Sequence, residues 1–164
     1  MMDFLRYVGA ILVLVFAFFI SRSYVSYLKR RVRECEDFCR LAEKIESMIR
    51  CYLSPIKEIF SGFECSEGVV RDFVKAVSEG ATPREAYLSK EGELAIGKEG
   101  KKILSGLFSS LGHGYRDGSL ELVRGARAEL EKYTAKEREE GEKNSRLASA
   151  LAIGGALGVV LLFI

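Results

Sequence analysis

The residues whose spacing most resembles a chemical motif are the glycines and the lysine of GELAIGKE, Gly92 to Glu99. The pattern G-x-x-x-x-G-K is that of a phosphate-binding loop, in which backbone N–H groups surround the phosphates and a following Ser or Thr hydroxyl holds Mg²⁺. Here Glu99 takes the place of that hydroxyl, and its carboxylate would repel phosphate. The preceding TPREAYLSKE is typical of a helix start, whereas such a loop follows a β-strand. We therefore expect a loop between helices and no nucleotide or other cofactor.

The remaining candidates for catalysis or metal binding are one histidine and four cysteines. His113 lies in the glycine-rich GHGYRDGS, and the sequence gives it no paired nucleophile or acid. The cysteines form no C-x-x-C and no pair of ligand clusters, which favours free thiols in a reducing compartment over a metal or redox site. They are Cys35, Cys39, Cys51 and Cys65. We expect no catalytic or metal-binding residue; an enzyme using His113 or a thiol is the alternative that these residues leave.

The composition bounds the size and the partners of the protein. A chain of 164 residues can form one domain with a real core. Its net charge of +2 lacks the strong basic excess on which nucleic-acid binding rests, so we expect no nucleic-acid partner. The apolar residues are unevenly placed, because residues 8–20 and 147–164 carry no charge at all.

These two uncharged runs predict two transmembrane helices. The first becomes long enough to span a bilayer when it is taken as residues 4–24, with Arg6 and Arg22 reaching the two interfaces. The second comprises residues 147–164, and about 18 helical residues nearly cross the hydrocarbon layer. A cleaved signal peptide is the alternative for the first run. No A-x-A-like site follows it, however, and the helical periodicity continues past Arg22.

Basic residues next to the two runs predict the orientation. Those just after the first run are Lys29, Arg30, Arg31 and Arg33, and those just before the second are Lys143 and Arg146. Because positive charge is retained on the inner side, we expect residues 25–146 to be a cytoplasmic domain of a two-pass protein of the cell membrane.

The spacing of apolar residues between the two runs predicts an all-α fold, a bundle of about six helices between two transmembrane helices. The first of these helices has a coiled-coil-like seam, followed by a second apolar line downstream. The seam comprises Val25, Leu28, Val32, Cys35, Cys39 and Ala42, and the second line comprises Phe38, Leu41, Ile45, Met48 and Tyr52.

Turn and capping residues predict where the other helices begin and end. Ser54-Pro55 opens a short helix that ends at Gly62, and Gly80 ends an amphipathic helix. Thr82 and Glu85 form a capping box. A helix through Ile103 to Leu111 follows, and then a long helix from Ser119. The inward residues of the long helix are predicted to be Leu122, Val123, Ala126, Leu130 and Tyr133, and the charged run 135–146 is predicted to be solvated.

Two sets of residues are predicted to contact other proteins. Lys98, Lys101 and Lys102 offer positive charge to an acidic partner surface. Ala150, Gly154 and Gly158 recur every four residues, a small-xxx-small face that lets another membrane helix approach, such as the first transmembrane helix. A glycine-rich helix facing lipid is the alternative interpretation of that face.

The whole chain resembles one family, that of stage III sporulation protein AB. The resemblance rests on SYVSYLKRRVRECEDFCRLAEKIESMI after the first apolar run, on the Ser54-Pro55 helix start, on TPREAYL and on FSSLGHGYRDG. The closing EKNSRLASALAIGGALGVVLLFI is the stretch most similar to the family.

This resemblance implies a fold and a function. The fold would be similar to the cytoplasmic domain of the type II secretion platform protein F. The function would be that of a non-enzymatic scaffold in a channel-like complex between mother cell and forespore, with the domain on the mother-cell side. Partners would be a sporulation ATPase, stage III sporulation protein AA, and sister stage III membrane proteins, with a homo-oligomer as a further expectation. A generic membrane-anchored coiled-coil adaptor or signalling protein is the alternative.

Overall fold

The structure is a computed structural model that describes residues 2–51, 56–111 and 116–163. The described residues form helices and connecting turns and contain no strand, which confirms the predicted all-helical class. The helices are α1 (Met2–Cys51), α2 (Ile56–Phe60), α3 (Gly68–Glu79), α4 (Pro83–Lys90), α5 (Lys98–Ser110) and α6 (Arg116–Phe163), with a 3-10 turn at Glu91–Glu93. The two long helices, α1 and α6, include the predicted membrane segments.

The chain divides into two compact units. The central unit comprises Arg30–Glu137, and the flanking unit comprises the residues up to Lys29 and those from Arg138 onward. Every short helix belongs to the central unit. The core residues of these helices and of the adjoining parts of α1 and α6 pack together there, so the central unit contains the hydrophobic core and most of the buried side chains.

An aromatic cluster holds the central unit together. The Phe73 and Phe108 ring centroids lie 4.8 Å apart, and those of Tyr87 and Phe108 lie 5.3 Å apart. Phe38 of α1 and Phe60 of α2 each lie 5.7 Å from Phe73. Five helices thus contribute one ring each, and tilted and edge-to-face aromatic pairs of this kind add to the stabilisation from burial.

The apolar seam of α1 faces this core. Leu28, Cys35 and Ala42 are buried, while Val25, Val32 and Cys39 are half-buried. Of the second line, Phe38, Leu41 and Ile45 are buried and Met48 is half-buried; Tyr52 lies outside the described residues. The 3.6-residue period therefore located the buried face of α1 correctly, because a helix that packs on other helices buries a wide stripe.

Two of the predicted helix ends are confirmed in detail. Gly80 has φ +120°, and its N–H donates to the carbonyls of Ala76 and Val77 at the end of α3. At the start of α4 the Thr82 hydroxyl accepts from the Glu85 N–H, and the Glu85 carboxylate accepts from the Thr82 N–H. The predicted cap at Ser54-Pro55 and the turn around His113 lie outside the described residues.

The structure corrects four local predictions. Lys98 and Glu99 belong to the first turn of α5 rather than to a loop, and α6 begins at Arg116 rather than at Ser119. Leu122, predicted to face inward, is 55% exposed, because the inward line of α6 runs through the neighbouring Val123. Glu137, predicted to be solvated, is buried.

In the flanking unit, α1 supplies a candidate membrane span. Among the described residues, one helix is long and apolar enough to cross a membrane, and its apolar window near the N-terminus is not buried in the structure. Phe16 and Phe19, for example, are 68% and 63% exposed. Residues 147–163 are helical as well, with Leu151 and Ile153 exposed. The Ser21 hydroxyl donates to the Ala148 carbonyl at 3.4 Å, which joins the two helices within this unit.

Candidate functional site: the start of helix α5 and its braces

Asp37 of α1 caps the N-terminus of α3. Its buried carboxylate accepts the N–H groups of Ser66 at 2.8 Å and Glu67 at 3.0 Å, two donors that have no partner inside the helix. Arg40 contacts the other carboxylate oxygen of Asp37 and also donates to the Ser66 hydroxyl. A capping residue from a distant helix thus takes the role that a local Ser or Thr usually has.

Glu34, one turn earlier on α1, binds the segment that precedes α5. Its buried carboxylate accepts the Ala95 N–H at 2.7 Å and the Arg30 guanidinium N–H at 2.9 Å. Burial raises the pKa of Glu34, and the hydrogen bonds from Arg30 and Ala95 oppose that rise. Burying a carboxylate costs free energy unless its oxygens are hydrogen-bonded. Because the Ala95 N–H supplies one of these hydrogen bonds, Glu34 fixes the path of the chain at Ala95.

The N-terminus of α5 is braced by a second polar group. The Tyr133 hydroxyl of α6 accepts the Gly97 N–H at 3.1 Å and an Arg31 guanidinium N–H at 3.1 Å. Arg31 also forms an ion pair with the buried Glu137. Burial raises the pKa of Tyr133 to about 12, so the hydroxyl stays protonated at neutral pH. The start of α5 is thereby connected to both long helices.

The two glycines at this site are required by close packing. A Cβ at Gly97 would lie 2.8 Å from the Tyr133 hydroxyl oxygen, and one at Gly100 would lie 2.5 Å from Tyr133 Cε1. Neither distance leaves room for a methyl group. Of the two glycines in the stretch that resembles a phosphate-binding loop, Gly97 therefore has another physical reason: like Gly100, it lets Tyr133 approach the start of α5. Gly92 has open space at its Cβ position.

These contacts also affect whether the backbone of the GELAIGKE stretch is available to bind phosphate. A phosphate-binding loop needs several free N–H groups aimed at one anion. Here the Ala95 N–H donates to Glu34 and the Gly97 N–H donates to Tyr133. Leu94, Ala95 and Ile96 are buried, so the stretch is part of the core rather than an open cradle. The arrangement uses two N–H groups of this stretch to position a helix.

The three predicted partner-contact lysines lie in the first two turns of α5. Lys98 and Lys102 are exposed and Lys101 is half-buried. Residues separated by three and four positions share one side of a helix, so the three side chains emerge from the same side. The Lys101 carbonyl accepts from the Tyr87 hydroxyl at 2.9 Å, which ties this turn to α4.

A further polar cluster joins α1 to α6. The Glu46 carboxylate accepts from Arg124 at 2.9 Å, from Arg127 at 3.0 Å and from Arg50 at 3.2 Å. The hydrogen bond from Arg124 is the main cause that lowers the pKa of Glu46. Sequence reasoning missed Glu46, and it also missed Glu34, Asp37 and Glu137. Glu34 and Asp37 are three residues apart and adjoin the apolar seam, a spacing that could have indicated them.

The thiols have surroundings that suit packing. Cys35 is fully buried, and burial raises its pKa to about 12, which keeps the thiol protonated and unreactive at neutral pH. The Cys39 sulfur lies 3.3 Å from the Thr134 hydroxyl oxygen. Cys35, Cys39 and Cys65 are free, and the described residues contain no group of three His, Cys, Asp or Glu side chains placed to hold a metal. Cys51 and His113 have side chains outside the description.

The small residues of the C-terminal segment lie at the surface. Ala150, Gly154 and Gly158 are exposed, and a Cβ at Gly154 or Gly158 would meet no atom within 4 Å. Their role in helix packing within a membrane stays a prediction.

Together these features define an all-helical protein with a candidate membrane span, whose buried polar groups fix helix ends. The chain matches the family of stage III sporulation protein AB over residues 6–164, and it therefore belongs to that family. It is thus a stage III sporulation protein. Comparison with curated proteins gives no match, and comparison with solved structures gives none either.

Proposed function

We propose that the chain is a non-enzymatic membrane scaffold in a secretion-like channel complex between mother cell and forespore, with a central unit similar to the cytoplasmic domain of the type II secretion platform protein F. The observation that carries the proposal is the use of the polar groups around α5. Glu34, Tyr133 and Arg31 hydrogen-bond to backbone or to each other, so they hold helices in place rather than face a reacting group. Membership of the sporulation family supplies the setting.

The scaffold would dock a cytoplasmic ATPase, stage III sporulation protein AA, at the start of α5. Lys98, Lys101 and Lys102 share one side of a helix that is braced by both long helices. A rigid basic surface of this kind suits an acidic partner surface, because complementary charge speeds encounter and selects partners.

A binding measurement with the full-length chain tests this contact. Lys98→Glu should weaken binding to the purified ATPase by about tenfold and should make the remaining binding less sensitive to salt, because it removes an attractive charge that salt would otherwise screen. Lys75→Glu is the matched control, because Lys75 is an exposed lysine of α3, where its ion pair with Glu79 spans 3.8 Å in solvent. Equal effects of the two reversals, or none from Lys98→Glu, would rule out docking at this surface.

The proposed topology has two membrane passes, residues 4–24 and 147–164, with residues 25–146 in the mother-cell cytoplasm. The exposed apolar side chains of α1 support the first pass, and the exposed Leu147, Leu151 and Ile153 support the second. The small-residue face at Ala150, Gly154 and Gly158 would then pack on helices of sister stage III membrane proteins or of a second copy.

Cysteine labelling of intact cells tests the topology. Cys65 is a poor reporter because it is half-buried and burial raises its pKa to about 11. Gly92→Cys in a chain whose own cysteines are replaced by alanine places the thiol at an exposed position with open space around its Cβ. An impermeant maleimide should label it only after the membrane is opened. Labelling of intact cells would overturn the proposed orientation.

A further inference from the structure

An open groove of about 1010 Å³ runs between α5 and α6 in the central unit. Its floor is apolar or small and comes equally from the two helices. The floor residues are Ile103, Gly106 and Leu107 from α5 and Leu122, Gly125 and Ala126 from α6.

The glycines of the groove have no role in packing within the described chain. A Cβ at Gly106 or Gly125 would meet no atom within 4 Å, in contrast to the crowded positions Gly97 and Gly100. A glycine inside a helix is destabilising relative to alanine. Two such glycines facing one groove leave room for another backbone to come close.

Apolar side chains beside the glycines are incompletely covered. Leu122 is 55% exposed, and Ile103 and Ala126 are half-buried against the core. Apolar area gathered in a concave surface favours a partner that removes it from water.

The charges along the groove give it a direction. Lys102, Lys132 and Lys136 line the end near the start of α5, where Lys136 lies 3.5 Å from Glu99. The same end of α5 carries Lys98 and Lys101. Glu121 lines the opposite end, and Glu129 lies between. Lysines therefore outnumber acids at one end only.

We propose that this groove binds an amphipathic α-helix of a partner protein, with small and apolar residues against Gly106 and Gly125. The acidic, C-terminal half of that helix would lie at the lysine end, because a helix C-terminus carries partial negative charge. A helix fits better than a strand, since the backbone groups of α5 and α6 are bonded within their own helices and expose no sheet edge. Floor residues spaced by three and four positions match the ridges of a third helix. The groove shares Lys102 with the proposed ATPase contact, whereas Gly106, Gly125 and Lys132 belong to the groove alone.

The test uses the full-length chain in detergent micelles and two synthetic peptides of about 18 residues, long enough for five helical turns. Both peptides have one Ala and Leu face. The first has glutamates in its C-terminal half and lysines in its N-terminal half, and the second has the reverse. Fluorescence anisotropy should show saturable binding of the first peptide, and binding of the second should be weaker by about tenfold.

Two variants connect this binding to the groove. Gly125→Leu fills the floor and should weaken binding of the first peptide by about tenfold or more, whereas Gly92→Leu, also at a position with open space for a Cβ, should leave it unchanged. Lys132→Glu should reduce the preference for the first peptide. Circular dichroism must show unchanged helix content; if Gly125→Leu fails this check, Gly125→Ala and Lys132→Glu decide the result.

Three results would overturn the proposal. They are the absence of saturable binding of either peptide, binding that survives both Gly125→Leu and Lys132→Glu, and self-association of the chain that Gly125→Leu abolishes while the peptides do not bind. The third result would assign the groove to a second copy of this chain.

Discussion

Gly97 and Gly100 at the start of α5 lie under the side chains of Arg31 and Tyr133, whereas Gly106 and Gly125, farther along the same pair of helices, face open space. The first pair allows polar side chains of α1 and α6 to reach the end of α5. No side chain of the described residues uses the space next to the second pair. Glycines in two parts of one helix pair thus have opposite surroundings, which separates residues that the fold needs from residues that are available to a partner.

The largest expected effect comes from adding one methyl group at a crowded glycine and comparing it with the same addition at an open glycine. Gly100→Ala places a Cβ 2.5 Å from Tyr133 Cε1 and 2.6 Å from Ile96 Cγ2, so it should lower the free energy of unfolding by about 1–3 kcal/mol. Gly106→Ala, the matched change in open space, should raise it by up to about 1 kcal/mol. Denaturant unfolding of the full-length chain compares the two. Equal effects would mean that the packing contrast is absent.

The thiols give a smaller effect that separates packing from chemistry. Cys35→Ala should lower the free energy of unfolding by about 1 kcal/mol, because it removes a fully buried sulfur from the core. Cys39→Ala should cost less, since Cys39 is half-buried. Sporulation should survive the double substitution if the protein remains in the membrane. Lost sporulation with a folded, inserted protein would instead indicate a redox or metal role.

A still smaller effect should appear in the pH dependence of stability. The pKa of Glu34 is raised above 4.5, so its contribution is complete at pH below 4.5 and is lost as the pH rises through the folded-state pKa. The pKa of Glu46 is lowered, so its contribution is present above 4.5 and is lost as the pH falls through its folded-state pKa.

Glu34→Gln should therefore remove the part of the stability that declines from pH 4.5 upward and leave the acid-side loss due to Glu46. Thermal unfolding of the two chains across a pH series measures this difference. An identical pH profile for both chains would show that Glu34 is not the buried acid responsible.

The elements that sequence reasoning predicted well depend on local signals. The capping box at Thr82, the glycine end at Gly80 and the apolar seam of α1 each follow from neighbouring residues. The buried acids were missed because their burial depends on partners far along the chain. Glu34 binds Ala95, 61 residues away, and Arg127 binds Glu46, 81 residues away.

Leu122 shows a second kind of error. Leu122 and Val123 are adjacent apolar residues, and a helix turns by about 100° between them, so only one can lie on the inward line. The period alone did not decide which, and the structure buries Val123. Likewise the structural reason for Gly97 in GELAIGKE, the close approach of Tyr133, depends on a residue of α6 and could not be predicted from the stretch itself.

The central claim is that backbone N–H groups of GELAIGKE are bound by Glu34 and Tyr133 to hold a scaffold together, and that the stretch binds no nucleotide. Titration of ATP and Mg²⁺ into the purified full-length chain, followed by calorimetry, tests it most directly. We predict no saturable heat for the native chain or for Lys98→Ala, with unfolding free energies that agree within about 0.5 kcal/mol, because Lys98 is an exposed side chain. Saturable ATP binding that Lys98→Ala abolishes would contradict the account.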